Sequence, residues 1–500
     1  MIRIPSPELI IDELRKRIPP VTEASFIVYQ SNGSYYAKSG STGEIILSGT
    51  DASEVIQGVI NMCSGGEMIV IKKGLYVLHN LPITIDKDDI VLVGERGAVL
   101  KRPDNFPYMA PVIKVTGNRV TIYGLEIDGN RANNRNKAPD IYWDGIEIFG
   151  SDVIVMGCYI HDVTNHGIIT LEANGVRSII VNNVIHRCGT ETDIGRAIDI
   201  HGLGGDIVAF NQIVQDKVTA NDGIIVHGIR VGDTPTRRVA IIGNSIRGGW
   251  NGIGPHTDLE NVAVIGNVIE DVANNGIGSS NVNGLVISDN IIYGAGRSGI
   301  NLSNVNNALV KGNIIRNVSY RGIESDRPTA VIGNLVENSG NVGIGWSGGL
   351  IKGNMVINAG NHSIATGSNG SVIGNYTVGG FSGVLVRNSN NVVVRGNMIR
   401  SPSYWGIYVL ADGSDMIDIV IEDNKIDTPT YYEAIRLHGT YNINAVIRNN
   451  ILPAVRPYAN TSGGGVVVLR GNINYRTENS GVATLPAGQT RVTVPHFQFH

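Results

Sequence analysis

One phrase recurs along most of this chain, and a chain that repeats itself at short period has few ways to fold. From Arg119 onward it runs as an apolar strand, Gly-Asn or a variant, an apolar pair, a polar turn, and Gly-Ile opening a second strand. VAVIGNVIEDVANNGIGSSNV and VVVRGNMIRSPSYWGIYV are two copies. The turn asparagine falls at Asn183, Asn211, Asn244, Asn267, Asn290, Asn313, Asn334, Asn354, Asn375, Asn397, Asn424 and Asn450, in steps of 20 to 33 residues. The strands alternate at period two and no helical stripe intervenes, which excludes helix-pair solenoids and leaves a β-solenoid.

Coils stacked at strand spacing, ~4.8 Å, give a rod of about fourteen coils and roughly 65 Å. Stacking aligns equivalent side chains, so an asparagine at a fixed corner, tolerant of left-handed backbone, is expected to bond its copy one coil up. With 64 Gly and only 17% charged residues, the composition suits strands joined by tight turns. Cys63, Cys158 and Cys188 have no metal-like spacing and read as buried thiols.

The chain divides into an amino-terminal extension (1–50), a capping helix with the first coils (51–118), β-helix repeats (119–470) and a carboxyl-terminal cap or terminal strands (471–500). In the extension, MIRIPSPELIIDELRKRIPP reads as a short amphipathic helix stopped by Pro19 and Pro20, with no apolar core for a secretory signal. FIVYQSNGSYYAKSGSTGEIIL reads as a hairpin turning at Asn32-Gly33. A capped amphipathic helix is expected from Asp51 to about Met62. A formal charge of -4 gives no basic field for a phosphate backbone, and no apolar run is long enough for a spanning helix. Nucleic acid and membrane are therefore not expected partners.

Asp51-Ala52 before the helix, Gly65-Gly66, an apolar strand, Gly74-x-Tyr76 and Leu92-x-Gly94-Glu95 resemble the opening segment of the pectate-lyase-like β-helix superfamily. The resemblance runs through the repeats over most of the chain. It implies an all-β fold, a right-handed single-stranded parallel β-helix with an N-terminal capping helix. It leaves lyases, hydrolases, epimerases, phage tailspikes and adhesins all open. The ending GVATLPAGQTRVTVPHFQFH resembles the terminal strands of some virion and surface proteins, implying an extracellular or virion-associated protein and, under that reading, a homotrimer.

In a solenoid the informative rows are those carrying groups that the fold does not need. The segments WDGIEIFG, NHGIITLE, GRAIDIHG, NDGIIVHG and NGIGPHTD align on their central Ile. Three positions past Ile198, Ile224 and Ile253 stand His201, His227 and His256, an expected histidine row. One position past the Ile are Glu147 and Asp199; just before the Gly-Ile or Ala-Ile pair are Asp144, His166, Arg196 and Asp222. In the next coils the same slots hold Asn275, Gly278, Ser280 and Ser298, so the cluster is local. Like charges stacked at ~4.8 Å repel unless protonation, pairing or a cation relieves them. Carboxylates so placed split into an acid and a base suited to glycosidic bonds, and histidines beside them titrate near working pH. His438, in IRLHG without carboxylates, reads as a lone surface histidine.

The longest early excursion, Asp128 to Gly145, precedes this cluster and would wall it. Tyr142, Trp143 and Trp250 are candidates to stack on sugars, and Arg131, Arg135, Lys137 and Arg196 to hold uronate carboxylates. His256 and Asp258 extend the binding set. Ile198-Asp199-Ile200-His201-Gly202 and His166-Gly167-Ile168 resemble the two motif strands of the mannuronan C5-epimerases and their lyase relatives. Ile200 and Gly202 stand where that family has Pro and a second Asp, Arg196 replaces its aromatic residue, and the two phrases come in reversed order. Asp199, Asp222 and His201-Gly202 or His227-Gly228 are similar to the aspartates and Gly-His-Gly phrase of polygalacturonase-like hydrolases. The expectation is a polysaccharide-acting enzyme, hydrolysis by a carboxylate pair from Glu147, Asp199 and Asp222 ahead of elimination or epimerisation. A tailspike or adhesin binding glycan is the second reading and a purely structural rod the third. No cofactor is expected; a divalent cation such as calcium has room in the cluster, but the row imposes no geometry on it.

Overall fold

The computed structural model describes residues 23–134, 143–171, 177–189, 195–201, 204–216, 227–231, 238–427, 429–453, 458–474 and 482–484. The expected helix over residues 1–20 and the ending from residue 485 lie outside them. The chain forms two compact units, divided after Asn274.

The first unit opens with the antiparallel pair Phe26–Ser31 and Ser34–Ser39, joined at Asn32 (φ 49°) and Gly33 (φ 75°). Two successive left-handed residues are what a two-residue turn between right-twisted strands requires. Ile45–Gly49 adds a third strand, and Phe26–Ser31 also pairs in parallel with Met68–Ile71. Helix α1, Ala52–Met62, begins at Asp51, whose carboxylate accepts from Ser53 N at 2.9 Å. It buries Val55, Ile56, Val59 and Ile60, a stripe at helical spacing.

Each coil then contributes three short strands to three parallel ladders. The Gly-Ile ladder of the first unit runs through Ile83–Ile85, Ile113–Val115, Ile146–Ile148, Ile168–Thr170, Arg196–Ile200 and His227–Val231. A second ladder carries Thr121–Tyr123, Ile154–Met156 and Ile179–Val181. The apolar pair after the turn asparagine is itself a strand of the third ladder, as in Tyr159–His161 and Val184–His186. Alternate residues of all three point inward, giving a core of Ile, Val and Leu that is almost wholly buried. There are about 15 turns, and the coils holding Gly74–Val77, Ala98–Lys101, Glu126–Asp128 and Tyr159–His161 lack the asparagine.

The asparagine ladder is present in both units. In the first, Asn183 Nδ2 donates to Asn211 Oδ1 at 3.0 Å, Asn211 to Asn244 at 3.0 Å and Asn244 to Asn267 at 2.9 Å. In the second, the chain of bonds runs from Asn290 to Asn313 and onward through Asn334, Asn354, Asn375, Asn397, Asn424 and Asn450 to Asn472. The left-handed residue is not the asparagine but the one before it: Asn182, Phe210, Gly243 and Gly266 in the first unit, Gly312, Gly333 and Gly353 in the second. The Gly-Asn phrase thus splits its work, the first residue supplying the positive φ and the second the bonds. All three cysteines are free and buried.

Candidate active site

The register of the Gly-Ile ladder decides which predicted site residues meet. Glu147 pairs with Lys114 on one side and Ile169 on the other, and Ile169 with Asp199. Glu147 and Asp199 therefore share a column with one coil between them. The expected histidine row does not form. His227 is level with Arg196 and Asn251, while Ile198 pairs with Ile229 and Ile229 with Ile253. Ile229, not Ile224, is the third coil's counterpart, so His227 stands where Asp222 was expected. His201 and His256 keep equivalent positions two coils apart.

Asp144, His166 and Arg196 do stack, and their glycine neighbours explain how. A Cβ on Gly145 would lie 2.4 Å from Gly167 O, and one on Gly167 2.6 Å from Ala197 O. The coils touch at the main chain here, and the flanking side chains come within bonding distance. Asp144 Oδ1 accepts from His166 N (2.8 Å), His166 Nδ1 (2.9 Å) and Asn165 Nδ2 (2.9 Å). His166 Nε2 lies 3.2 Å from Asp199 Oδ2, and His201 Nε2 3.0 Å from that same oxygen. Arg196 completes the set with an ion pair to Asp199. The cluster is a relay, Asp144–His166–Asp199–His201, in which imidazoles separate the carboxylates. The repulsion expected of stacked like charges is relieved by pairing.

Burial grades this relay. Asp199 is wholly buried and Asp144 and His166 nearly so, while the His201 side chain is 22% exposed. Burial alone would raise the Asp199 carboxyl, but its bonds to His166 and His201, with the Arg196 charge, hold it far below the usual range. For His166 burial works downward, and Asp144 first, then Asp199, outweigh it and keep the ring protonated up to about 9. Glu147, half-buried, is pushed up to about 7, by burial first and then by Asp144. One acid kept neutral and one ionised carboxylate fixing a histidine are what acid–base catalysis requires.

The binding candidates fare unevenly. Trp143 is only 2% exposed, and the Arg102 guanidinium stands over its ring at 5.1 Å from the centroid. Its face is covered by the protein and is not presented to a sugar. Arg131, in the short helix α2 (Arg131–Asn134), is buried and ion-paired with Asp216 at 3.0 Å. Trp250 and His256 are partly exposed. Asp222, Arg135, Lys137 and Tyr142 lie outside the described residues, as do the side chains of His227 and Asp258. The His438 side chain is exposed and bonded to Thr461.

Lys114 was not singled out from the sequence. It is the register neighbour of Glu147, lowers that carboxyl, and stands over Phe149 at 4.8 Å. Aligning Ile113-Lys114-Val115 with Ile146-Glu147-Ile148 would have found it. Among the described residues, Asp128, His161 and Asp162 approach metal-ligand spacing. They belong to the third ladder, and their carboxylates already meet Lys101 (3.3 Å) and Arg187 (2.8 Å). Among the described residues, no helix is long and apolar enough to cross a membrane.

The chain is a right-handed parallel β-helix. The family described as "Right handed beta helix region" matches residues 222–350. Among solved structures, pre-mature gene product 12 of bacteriophage phi29 is similar at 13% identity, over 89% of this chain and 74% of that one, with a TM-score of 0.48. The Erwinia carotovora polygalacturonase is similar at 14% identity over 74% and 94%, with a TM-score of 0.42. The A-module of the Azotobacter vinelandii mannuronan C-5 epimerase is similar at 15% identity over 79% and 96%, with a TM-score of 0.37. Likenesses at this level decide nothing about activity. No curated protein matches the sequence.

Proposed function

We propose that this chain acts on a polysaccharide laid across the coils that carry Glu147 and His201, and cleaves it by acid–base chemistry. Glu147, held up to about 7, donates the proton to the leaving oxygen. His201 is the base, and Asp199 is a positioning residue that fixes its ring from beneath. The observation that carries the reading is the 3.0 Å contact between His201 Nε2 and a carboxylate with no exposure of its own. Because Asp199 is enclosed, it does not touch substrate, and the water-activating role expected of it passes to His201.

Hydrolysis is preferred to elimination or C5 epimerisation. Abstracting the proton beside a uronate carboxylate needs a cation to neutralise that carboxylate, and of the described arginines offered for it Arg196 is engaged by Asp199 and Arg131 by Asp216, which leaves Lys114 beside Glu147 as the cation an elimination would use. The test follows reducing ends and the ultraviolet absorbance of unsaturated uronates together, on neutral and uronate polysaccharides. Reducing ends without absorbance, abolished by Glu147→Gln and by His201→Ala, support the proposal. No product from any polysaccharide sinks it. The second reading, a tailspike or adhesin that binds glycan without turnover, is supported by the internal matching of the Asp144, His166, Asp199 and Arg196 charges, which a structural ion network would also have. It predicts binding without products and a trimer in sedimentation.

A further inference from the structure

The second unit carries an aromatic group that the acid–base site does not use. Three consecutive coils supply it: Phe381 from one, Tyr404, Trp405 and Tyr408 from the next, Tyr431 and Tyr432 from the third. The main chain links them coil to coil, Tyr404 N donating to Phe381 O and Tyr431 N to Ser403 O. Phe381 stacks on Tyr404 with centroids 4.0 Å apart, Tyr404 on Tyr432 at 5.3 Å, Trp405 on Tyr432 at 5.4 Å and on Tyr408 at 4.1 Å. The inner rings are structural: Tyr408 and Trp405 pack on the buried outward residues Leu385, Ala365 and Val342. The outer rings are not enclosed, Tyr432 being 43% exposed and Tyr431 57%.

The solenoid does not need aromatics at this corner. The Phe381 and Tyr404 slot is held by Asn341 and Asn361 in the two preceding coils, which make the same main-chain bonds. The whole sequence has 18 Tyr, 7 Phe and 4 Trp, and six of these rings meet here. A contiguous exposed apolar patch marks a binding surface more often than a stability feature.

We propose that this shelf is a separate glycan-binding site, with the pyranose rings of a neutral sugar chain laid on Tyr404, Tyr431 and Tyr432. Flat, stiff aromatic side chains with a polar edge give large contact at small entropic cost. The neighbouring charges select a neutral chain. Arg387 is paired with Asp412, and Arg436 with Glu433, so neither arginine offers a uronate an unmatched charge. Three coils at ~4.8 Å make a shelf about 10 Å long, which suits a few sugar residues and falls short of the roughly 800 Å² per partner of a stable protein interface. The site stands whether or not Glu147 and His201 turn over substrate.

The test is calorimetric titration of the full chain with cello-, manno- and xylo-oligosaccharides, with oligogalacturonate as the charged probe. Saturable binding of at least one neutral oligosaccharide is expected, weakened about tenfold or more by Tyr432→Ala and by Tyr404→Ala and unchanged by Tyr293→Ala, an exposed ring elsewhere on the second unit. Tyr432 is exposed, so its variant keeps the test valid even where Tyr404→Ala fails to fold. The proposal is overturned if no neutral probe binds, if oligogalacturonate alone binds, or if Tyr432→Ala leaves affinity intact. It is equally overturned if Tyr432→Ala dissociates an oligomer in sedimentation, which would make the shelf a contact between copies of the chain.

Discussion

Glu147 and Asp199 occupy one column of the Gly-Ile ladder with Ile169 between them, so their main chains are about 10 Å apart, two strand spacings. A carboxylate pair at that separation could be taken for an acid and a base flanking a glycosidic bond. Burial encloses Asp199, and the base proposed in its stead is His201, bonded to it from the less enclosed side.

That exchange of roles predicts how activity responds. Glu147→Gln removes the proton donor and His201→Ala the base, and each is expected to lower kcat by about 10²–10⁴ with little change in KM. Steady-state kinetics on the polysaccharide found active will check it. A loss confined to KM would place both residues in binding instead.

Asp199→Asn should act on two quantities at once. It leaves Arg196 buried without its counter-charge and His166 with Asp144 alone, an expected cost of about 3–5 kcal/mol in unfolding free energy. It also frees the His201 ring, so the surviving folded protein should lose kcat and show a displaced acidic limb in its pH–rate profile. A purely structural aspartate would give the first effect and leave the profile alone.

What could be read beforehand divides along a physical line. The asparagine ladder was legible because a side chain that must bond its own copy recurs at one corner of every coil, from Asn183 to Asn450. The buried thiols, the Asn32-Gly33 turn and helix α1 were legible because each depends on neighbours a few residues away. The histidine row failed at NDGIIVHGIRV, which contains two overlapping apolar alternations. Either Ile224 or Ile229 satisfies the pattern, and a shift of register moves every side chain to a new row. Burial of Trp143 was invisible for another reason: the guanidinium that covers it comes from Arg102, a coil earlier. The one-coil gap between Glu147 and Asp199 was legible, because WDGIEIFG, NHGIITLE and GRAIDIHG follow one another coil by coil.

Two pH windows follow from the shifted groups. His166 moves from 6.5 unfolded to about 9 folded, so the folded state holds its proton longer. Its contribution is fully present below about 6.5 and is lost as pH rises through 9, on the order of 3 kcal/mol. Glu147, raised from 4.5 to about 7, likewise favours the folded state when protonated, and its contribution fades between those values. Urea midpoints measured from pH 5 to 10 should fall with rising pH, His166→Gln flattening the upper part of the slope and Glu147→Gln the lower. A rising or flat profile in the wild-type protein would contradict both assignments.

The ladder offers a test that is independent of any activity. Asn334 Oδ1 accepts from both the main-chain N and the Nδ2 of Asn313, at 2.9 Å each, and Asn334 Nδ2 donates to Asn354 Oδ1 at 2.9 Å and to Val310 O at 3.1 Å. Asn334→Leu has nearly the same size but strips Asn313 N of its acceptor and removes one bond each from Asn313 Nδ2, Asn354 Oδ1 and Val310 O, in a site with almost no exposure. Each orphaned buried group costs about 1–3 kcal/mol, so a drop of several kcal/mol is expected by denaturant titration. Asn283, exposed and not in the left-handed region, accepts a bond from Asn307, and Asn283→Leu should cost less than about 1 kcal/mol. Equal losses at the two positions would mean that the buried asparagines are not bonded as a ladder.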